Sequence, residues 1–232
     1  MRVSIVIPTL NERENIKTLV KRIFALGISN LEVIVVDDSS SDGTIAVLRA
    51  LRKRFPVTLI LRPKKLGLGS ALKDGLGLAR THGAAVALTM DADFSHEPER
   101  IPEMLRHIEN GADLVVGSRR VPGGAIKGWG LTRTVMSRVA MELARRALGI
   151  KTRDVTSGFR AYRRRVLETV DLKHISSTGY AFQEEMLYKT QRAGFIITEI
   201  PITFHDRTRG KSKLGLRDII EFFVTVIKLK FN

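Results

Sequence analysis

Three times in its first 93 residues the chain repeats one design, a short apolar run that stops at a polar cluster. Val3-Ser4-Ile5-Val6-Ile7 runs into Pro8-Thr9-Leu10-Asn11-Glu12. Val33-Ile34-Val35-Val36 runs into Asp37-Asp38-Ser39-Ser40, and Ala84-Ala85-Val86-Ala87-Leu88 leads to Met90-Asp91-Ala92-Asp93. Such short, nearly unbroken runs are the pattern of strands covered on both faces. Each of the first two is followed by apolar residues at helical spacing: Ile16, Leu19, Val20, Ile23 and Phe24, then Ile45, Leu48 and Leu51. Asn11 and Glu14 are spaced as a capping box for the first of these helices. Alternation of this kind predicts parallel strands joined by right-handed crossovers, hence an α/β domain with a mostly parallel central sheet flanked by helices. Ligands of open α/β sheets bind at the carboxyl edge. Glu12, Asp38, Asp91 and Asp93 are therefore expected to converge, although they are far apart in sequence.

The pair Asp91 and Asp93 carries the most chemistry. Alternate residues at a strand end point the same way, so both carboxylates can meet one hard cation. Mg²⁺ and Mn²⁺ suit one or two carboxylates, with the remaining positions left to water and substrate phosphates. Alone, Asp-x-Asp is also ordinary turn chemistry; its position on an edge shared with two other polar clusters favours a site.

Further along, residues 56–61 read as a third strand and 70–81 as a helix, with the loop Arg62 to Gly69 between them. Gly67-Leu68-Gly69 is no dinucleotide fingerprint: the third glycine would fall at Leu72, and the motif follows the third strand rather than the first. Pro98 to Glu109 reads as a helix, and Asp113 to Gly117 as a strand that ends in Ser118-Arg119-Arg120. Val121 to Trp129 reads as a Gly-rich mobile loop. Leu131 to Leu148 is a long helix carrying Arg133, Ser137 and Arg138, and Phe159 to Tyr162 is an edge strand. Gly179 to Gln191 is a helix with Gln183 and Glu185 in its first half; Phe195 to Ile200 is the last strand. The basic loop Arg207 to Lys213 leads into a final amphipathic helix. The division that results is a catalytic domain over 1–213 and a C-terminal helix over 214–232, the latter suited to lie in a membrane interface.

A formal charge of +15 and a pI near 10.5 suit phosphorylated substrates, anionic membranes or nucleic acid. Nucleic-acid readers add exposed aromatics or a recognition motif; aromatics are 6% here and no such motif is present, so no nucleic-acid partner is expected. The run Arg163-Arg164-Arg165 stands out from the solvated basic surface as lying near surface-binding segments. The absence of cysteine excludes disulfides, thiolate metal sites and Cys nucleophiles. No apolar run approaches the roughly 18 residues of a transmembrane helix, and Met1 leads directly into the first strand, so neither a span nor a signal peptide is expected. The five histidines lack metal-ligand spacing. His96 receives no role, and Trp129 is read as packing.

The motifs together resemble a known family. Pro8-Thr9-Leu10-Asn11-Glu12-Arg13-Glu14-Asn15, Val36-Asp37-Asp38-Ser39, Lys65-Leu66-Gly67-Leu68-Gly69 and Met90-Asp91-Ala92-Asp93 resemble the inverting family 2 glycosyltransferases of the GT-A fold. Gly117-Ser118-Arg119, Thr156-Ser157-Gly158-Phe159-Arg160, Gly179-Tyr180-Ala181-Phe182-Gln183 and Gly210-Lys211-Ser212-Lys213-Leu214-Gly215 look like the dolichol-phosphate mannosyltransferase branch, in its short form without a membrane-spanning tail. The resemblance implies transfer of mannose from GDP-mannose to a polyprenyl (dolichyl) phosphate with Mg²⁺ or Mn²⁺, on the cytoplasmic face of a membrane. The partners it implies are an anionic membrane surface and a separate membrane subunit. It implies that Pro8, Leu10 and Glu12 line the nucleotide pocket and that Val36 and Asp38 hold guanine or ribose. Asp91, the backbone of Ala92, and Asp93 would engage metal and diphosphate. Arg119, Arg207 and Lys213 would bind phosphate groups; Arg133, Ser137, Gln183 and Glu185 would serve the acceptor. Leu10 stands where many members have Tyr, and Ser95 where some offer Gln near the metal, which puts ligation by Ser95 in question. Rival readings are a polyprenyl-phosphate glucosyltransferase or other enzyme using a UDP-sugar, and a non-catalytic membrane-associated subunit.

Overall fold

The structure, a computed structural model, describes residues 1–177, 179, 181–206 and 216–231. Its elements in chain order are β1 (Val3–Thr9), α1 (Arg13–Phe24), β2 (Leu31–Asp37), α2 (Thr44–Arg52), β3 (Val57–Leu61), α3 (Leu68–Thr81), β4 (Val86–Thr89), α4 (Ile101–Glu109) and β5 (Leu114–Ser118). They continue with β6 (Ala125–Lys127), α5 (Leu131–Leu148), β7 (Arg160–Arg163), α6 (Arg164–Thr169), α7 (Phe182–Arg192), β8 (Ile197–Pro201), β9 (Thr203–His205) and α8 (Leu216–Phe231). Seven strands form one sheet in the order β3-β2-β1-β4-β7-β5-β8, all parallel except β7. β6 and β9 pair in parallel as a separate ribbon.

Strand alternation sends Ile5, Ile7, Val33, Val35 and Leu88 to one core layer, under α1, α2 and α4. Val6, Ile34, Val36, Ala87, Leu114 and Val116 go to the other, under α3, α5, α6 and α7. Two-sided burial explains why these strands read as unbroken apolar runs. Helix α3 lies close on the sheet because Gly75 has no side chain: a Cβ there would stand 2.2 Å from Val6 Cγ1.

Several expectations are corrected. The capping box does not form, because α1 starts one residue later, at N-cap Glu12, which has no side-chain cap. Asn11 adopts φ +57° and its Oδ1 accepts from Ser41 N instead, tying the β1 loop to the β2 loop. The strand expected at an edge, β7, is central: it enters between β4 and β5 in the opposite direction. Its side chains are buried on both faces, a property shared by central strands of either direction. Residues 121–129 are no plain loop, since β6 lies within them, and Phe195 to Ile200 is not the last strand, since β9 follows and pairs with β6. Because β7 runs antiparallel, Arg163 pairs with Val86 at the start of β4, the edge opposite Asp91. There Arg163 donates to Ala112 O and Ile108 O, Arg165 pairs with Asp113, and Arg164 with Glu168. The triple-arginine run braces the back of the sheet and lies away from the binding edge.

Candidate functional site

The carboxyl edge is assembled by register. Thr9 pairs with Asp37 across β1 and β2, and Val6 with Thr89 across β1 and β4, so three polar clusters end at one level. Asp37 is a tie rather than a ligand group: it accepts from Thr9 Oγ1 at 2.8 Å, Ser40 N at 2.8 Å and Ser40 Oγ at 2.6 Å. Asp38 accepts Leu66 N and Gly67 N at 3.1 and 3.0 Å and meets Arg62 Nη1 at 3.1 Å. It thereby holds the β3–α3 loop against the edge. Glu12 is nearly buried; its backbone N–H donates to Thr44 Oγ1 and its carboxylate accepts from Asn15 Nδ2. Pro8 and Leu10 are half-buried beside it. The Val36 and Ala92 side chains pack into the core, so what these two residues present at the edge is backbone.

Asp91 and Asp93 follow β4. The Asp91 side chain is 33% exposed, whereas Asp93 is nearly buried and accepts Ser95 N at 3.1 Å around Phe94, whose φ is +61°. His96, left without a role in the sequence reading, stands directly behind them. Its Nδ1 accepts the Asp91 N–H at 3.2 Å, and its ring stacks on Phe159. Burial pushes the imidazole below its usual pKa despite the attraction of Asp91 and Asp93. A neutral ring with its proton on Nε2 fits that acceptor role. Nothing but nearness to the Asp-x-Asp motif could have signalled this residue. A Cβ on Gly158 would lie 3.6 Å from Asp91 Oδ1 and 3.7 Å from Gln183 Nε2, so these two side chains border one space that the glycine keeps open. Ser95 Oγ and Gln183 Oε1 are both buried without a hydrogen-bond partner. Among the described residues no three His, Cys, Asp or Glu side chains cluster as a closed metal cage. Two carboxylates with uncommitted oxygen donors nearby do fit a hard cation that keeps most of its sites for water and phosphate.

Arg119, at the end of β5, is clamped by Asp154: Nε and Nη2 each meet a carboxylate oxygen at 2.7 Å, and Nη2 also reaches Thr156 Oγ1. Both partners are buried. Burial alone would lower the Arg119 pKa, but Asp154, and then Asp91, hold it above its ordinary value. Burial would likewise raise Asp154, and Arg119 overrides it. Asp154 was not singled out in the sequence, where it is one more acidic residue in a loop. Arg133 and Ser137 sit on α5. Arg133 stacks on Trp129, 4.1 Å from the ring centroid, and pairs with Asp206 at 3.0 Å; Ser137 Oγ accepts from Arg120. Trp129 is thus a platform for a cation, more than packing. Arg207 and Lys213 lie outside the described residues.

The start of α7 is set by Arg160, fully buried in β7, whose guanidinium donates to Val155 O, Ser157 O and Gln183 O. Glu185 turns to residues 176–177, accepting both backbone N–H groups and Ser177 Oγ at 2.7 Å, and pairs with Lys189. Glu184, between these two, is fully buried with neither carboxyl oxygen hydrogen-bonded. Desolvation, then the charge of Glu185, pushes it up from 4.5 to about 8. The folded chain keeps this proton where the unfolded chain releases it. The contribution of Glu184 to stability is therefore full below about pH 4.5 and declines as pH rises to about 8. The loss is on the order of 5 kcal/mol. Glu184→Gln should flatten that decline and melt several degrees above the parent at pH 9, while matching it near pH 5. Parallel melting curves at both pH values would refute a protonated Glu184.

The model of the family described as Glycosyl transferase family 2 matches residues 4–171. Polyprenol monophosphomannose synthase of Mycolicibacterium smegmatis is 41% identical, over 95% of this chain and 83% of its own length. Undecaprenyl-phosphate mannosyltransferase of Micrococcus luteus is 40% identical over 98% of this chain and 93% of its own. Dolichol-phosphate mannosyltransferase of Pyrococcus furiosus is 40% identical over 99% of this chain, which spans 64% of that protein. Among solved structures, glucosyl-3-phosphoglycerate synthase of Mycobacterium tuberculosis in complex with Mn²⁺, UDP and glucosyl-3-phosphoglycerate superposes with a TM-score of 0.73. It does so at 20% identity, over 99% of this chain and 80% of that one, a likeness of fold.

Proposed function

The chain belongs to glycosyl transferase family 2, and on that premise we propose that it moves mannose from GDP-mannose to a polyprenyl phosphate, with inversion at the sugar. The observation that carries the reading is the corner where Asp91 and Gln183 face one another across Gly158, beside Asp93 and within the field of Arg119. Relatives alike over nearly the full chain and named for mannosyl transfer to polyprenyl phosphates support the substrates.

The chemistry follows from charge. Glu12, Asp38 and the backbone at Val36 would seat the nucleoside. Asp91 and Asp93 would hold a divalent Mg²⁺ or Mn²⁺, which when bound offsets negative charge on the diphosphate leaving group. The acceptor is a phosphate monoester, with a second pKa near 6, so its oxygen is already anionic at pH 7 and needs no general base. That oxygen attacks the anomeric carbon from the face opposite the diphosphate. The carbon–oxygen bond to GDP breaks with its electron pair, and configuration inverts. Arg119, Arg133 and Ser137, with Arg207 and Lys213, would gather phosphates that otherwise repel one another. The clamp from Asp154 keeps the Arg119 fork fixed, so little reorganisation is needed as charge develops. The neutral His96 orients the Asp91 backbone without adding a competing cation. The acceptor lives in a bilayer, and no helix among the described residues is long and apolar enough to cross one; the reading puts the enzyme on a membrane surface.

Thermal shift tests the donor. A ligand at about a hundredfold excess over Kd adds ~2.7 kcal/mol, or roughly 5–10 °C for a domain of this size. GDP-mannose with Mn²⁺ should give such a shift, EDTA should abolish it, and UDP-glucose should give little. A larger shift with a UDP-sugar would overturn the donor assignment.

A further inference from the structure

Asp154 grips Arg119, yet no helix or strand holds Asp154. It lies in the irregular stretch 149–159 between α5 and β7. Backbone N–H groups that leave water in such a stretch need acceptors from outside it. Lys151 N donates to Gln191 Oε1 on α7 at 2.7 Å, and Arg145 Nε on α5 donates to Thr152 O at 2.9 Å. These ties stop short of Asp154. The next two N–H groups both go to one carboxylate: Glu199 Oε2 accepts from Arg153 at 2.8 Å and Oε1 from Asp154 at 3.0 Å. No other acceptor among the described residues takes either of them. A carboxylate accepts more strongly than a neutral oxygen, and two bonds together remove the rotation that one alone would leave.

Glu199 stands on a rigid element. It belongs to β8, where it pairs with Val116 of β5, and Arg119 is the first residue after β5. The contacts therefore close a ring. β5 carries Arg119, which meets Asp154 through its backbone N–H as well as Nε and Nη2; Asp154 hangs from Glu199, and β8 returns to β5. Packing does not duplicate this ring. On one flank opens a cavity of about 370 Å³, lined by Lys151, Thr152, Gln191, Phe195, Ile197 and Glu199. On the other opens one of about 430 Å³, lined by Arg119, Arg120, Arg138, Arg145 and Arg153, with Glu142. Loop and guanidinium alike have room to shift once the hydrogen bonds let go. Like charge favours such a shift: burial, then repulsion from Arg119, holds the Arg120 guanidinium below its ordinary pKa, and Arg138 adds to that repulsion.

We infer that Glu199 is a positioning residue: by holding the backbone of residues 153–154 it sets where Asp154 points the Arg119 guanidinium. Glu199 itself is half-buried on the outer strand of the sheet and acts through two intermediaries. A clamp is only as precise as its mount, and groups that meet developing charge work when their own supports are locked. Without Glu199 the Arg119–Asp154 pair would stay together and drift as a unit. Stability would register little beyond two lost hydrogen bonds. Transfer would register far more, because a misplacement of ~1 Å costs about a hundredfold in rate. The purpose of the relay rests on the transfer reading above; its geometry has a test that needs no turnover.

That test uses Trp129, the one tryptophan of the chain. Arg119 Cζ stands 5.9 Å from its ring centroid, with Arg133 over the same ring. A guanidinium that leaves its place changes the field at the indole and so the emission. Parent, Glu199→Ala, Glu199→Gln and Gln191→Ala are compared by melting curve, Trp129 emission and steady-state transfer. The double variant Arg119→Met with Asp154→Leu supplies the emission of Trp129 without Arg119 beside it. Glu199→Ala should move the emission toward that reference and lower kcat by about a hundredfold. Glu199→Gln keeps one acceptor oxygen and should fall between parent and Glu199→Ala on both readouts; it carries the test if Glu199→Ala does not fold. Gln191→Ala frees Lys151 N in the same stretch and should lose some stability, with emission and kcat at the parent's values. Parent-like emission or parent-like kcat in the Glu199 variants would overturn the inference. So would Gln191→Ala reproducing Glu199→Ala, which would make both residues general supports of the loop. Emission displaced in Glu199→Ala, with a parent that transfers no mannose, would sink the functional reading and leave the relay to Arg119 standing.

Discussion

Asp91→Ala and Asp93→Ala are each expected to lower mannosyl transfer by about three orders of magnitude or more, since a metal ligand accounts for several kcal/mol of transition-state stabilisation. Folding should be nearly untouched for Asp91, whose side chain is one-third exposed. Asp93→Ala also deletes the bond from Ser95 N, so about 1–2 kcal/mol of stability should go with it. Steady-state transfer of labelled mannose into a lipid phase reads the first effect and thermal melting the second. The nucleotide-induced shift in Tm should vanish in both variants if, as proposed, the carboxylates act through a bound cation and its diphosphate. Either variant turning over at the parent rate in EDTA would remove the carboxylates from the mechanism.

Asp154→Ala should be the most destabilising single change outside the apolar core. It leaves Arg119 buried with its charge uncompensated, and breaking a buried pair in this way costs about 3–5 kcal/mol, roughly 10 °C in Tm for a domain of this size. The double variant Arg119→Met with Asp154→Leu removes both charges and should recover most of that loss, while transfer stays at background because the cation proposed to bind phosphate is gone. The contrast separates the two services of the pair, since stability returns and activity does not. If Asp154→Ala melts within about 1 kcal/mol of the parent, the clamp is no more than a surface salt bridge and Arg119 owes its position to something else.

Much of the architecture was legible because local pattern and global fold agree. The runs at Val3 and Val33 are nearly unbroken because both faces of those strands are covered, and that burial is written directly in hydrophobicity. Once the strands are parallel, convergence of Glu12, Asp38, Asp91 and Asp93 on one edge follows from topology without any contact being known. Helix α5 was readable to the residue, Leu131 to Leu148, from its period and the glycines beside it.

The rest depended on contacts between segments remote in sequence. Strand direction has no signature in a four-residue run, so Phe159 to Tyr162 looked like an edge strand. Only pairing with β4 and β5 placed it centrally, reversed it, and carried the arginine run that follows to the back of the sheet. Where Asn11 points was settled by the neighbouring Ser41 N, a stronger claim on its oxygen than a helix start one residue away. His96, Asp154 and Glu184 were invisible for a common reason. A titratable side chain takes its meaning from burial and from partners that lie 35 residues off, as Arg119 and Asp154 do, or that are missing altogether, as for Glu184. By itself the sequence determined which residues would share an edge, because periodicity and strand order are properties of the chain. Which of those groups are clamped, neutral or left facing an open cavity was decided by the tertiary structure, because desolvation and pairing exist only once distant segments meet.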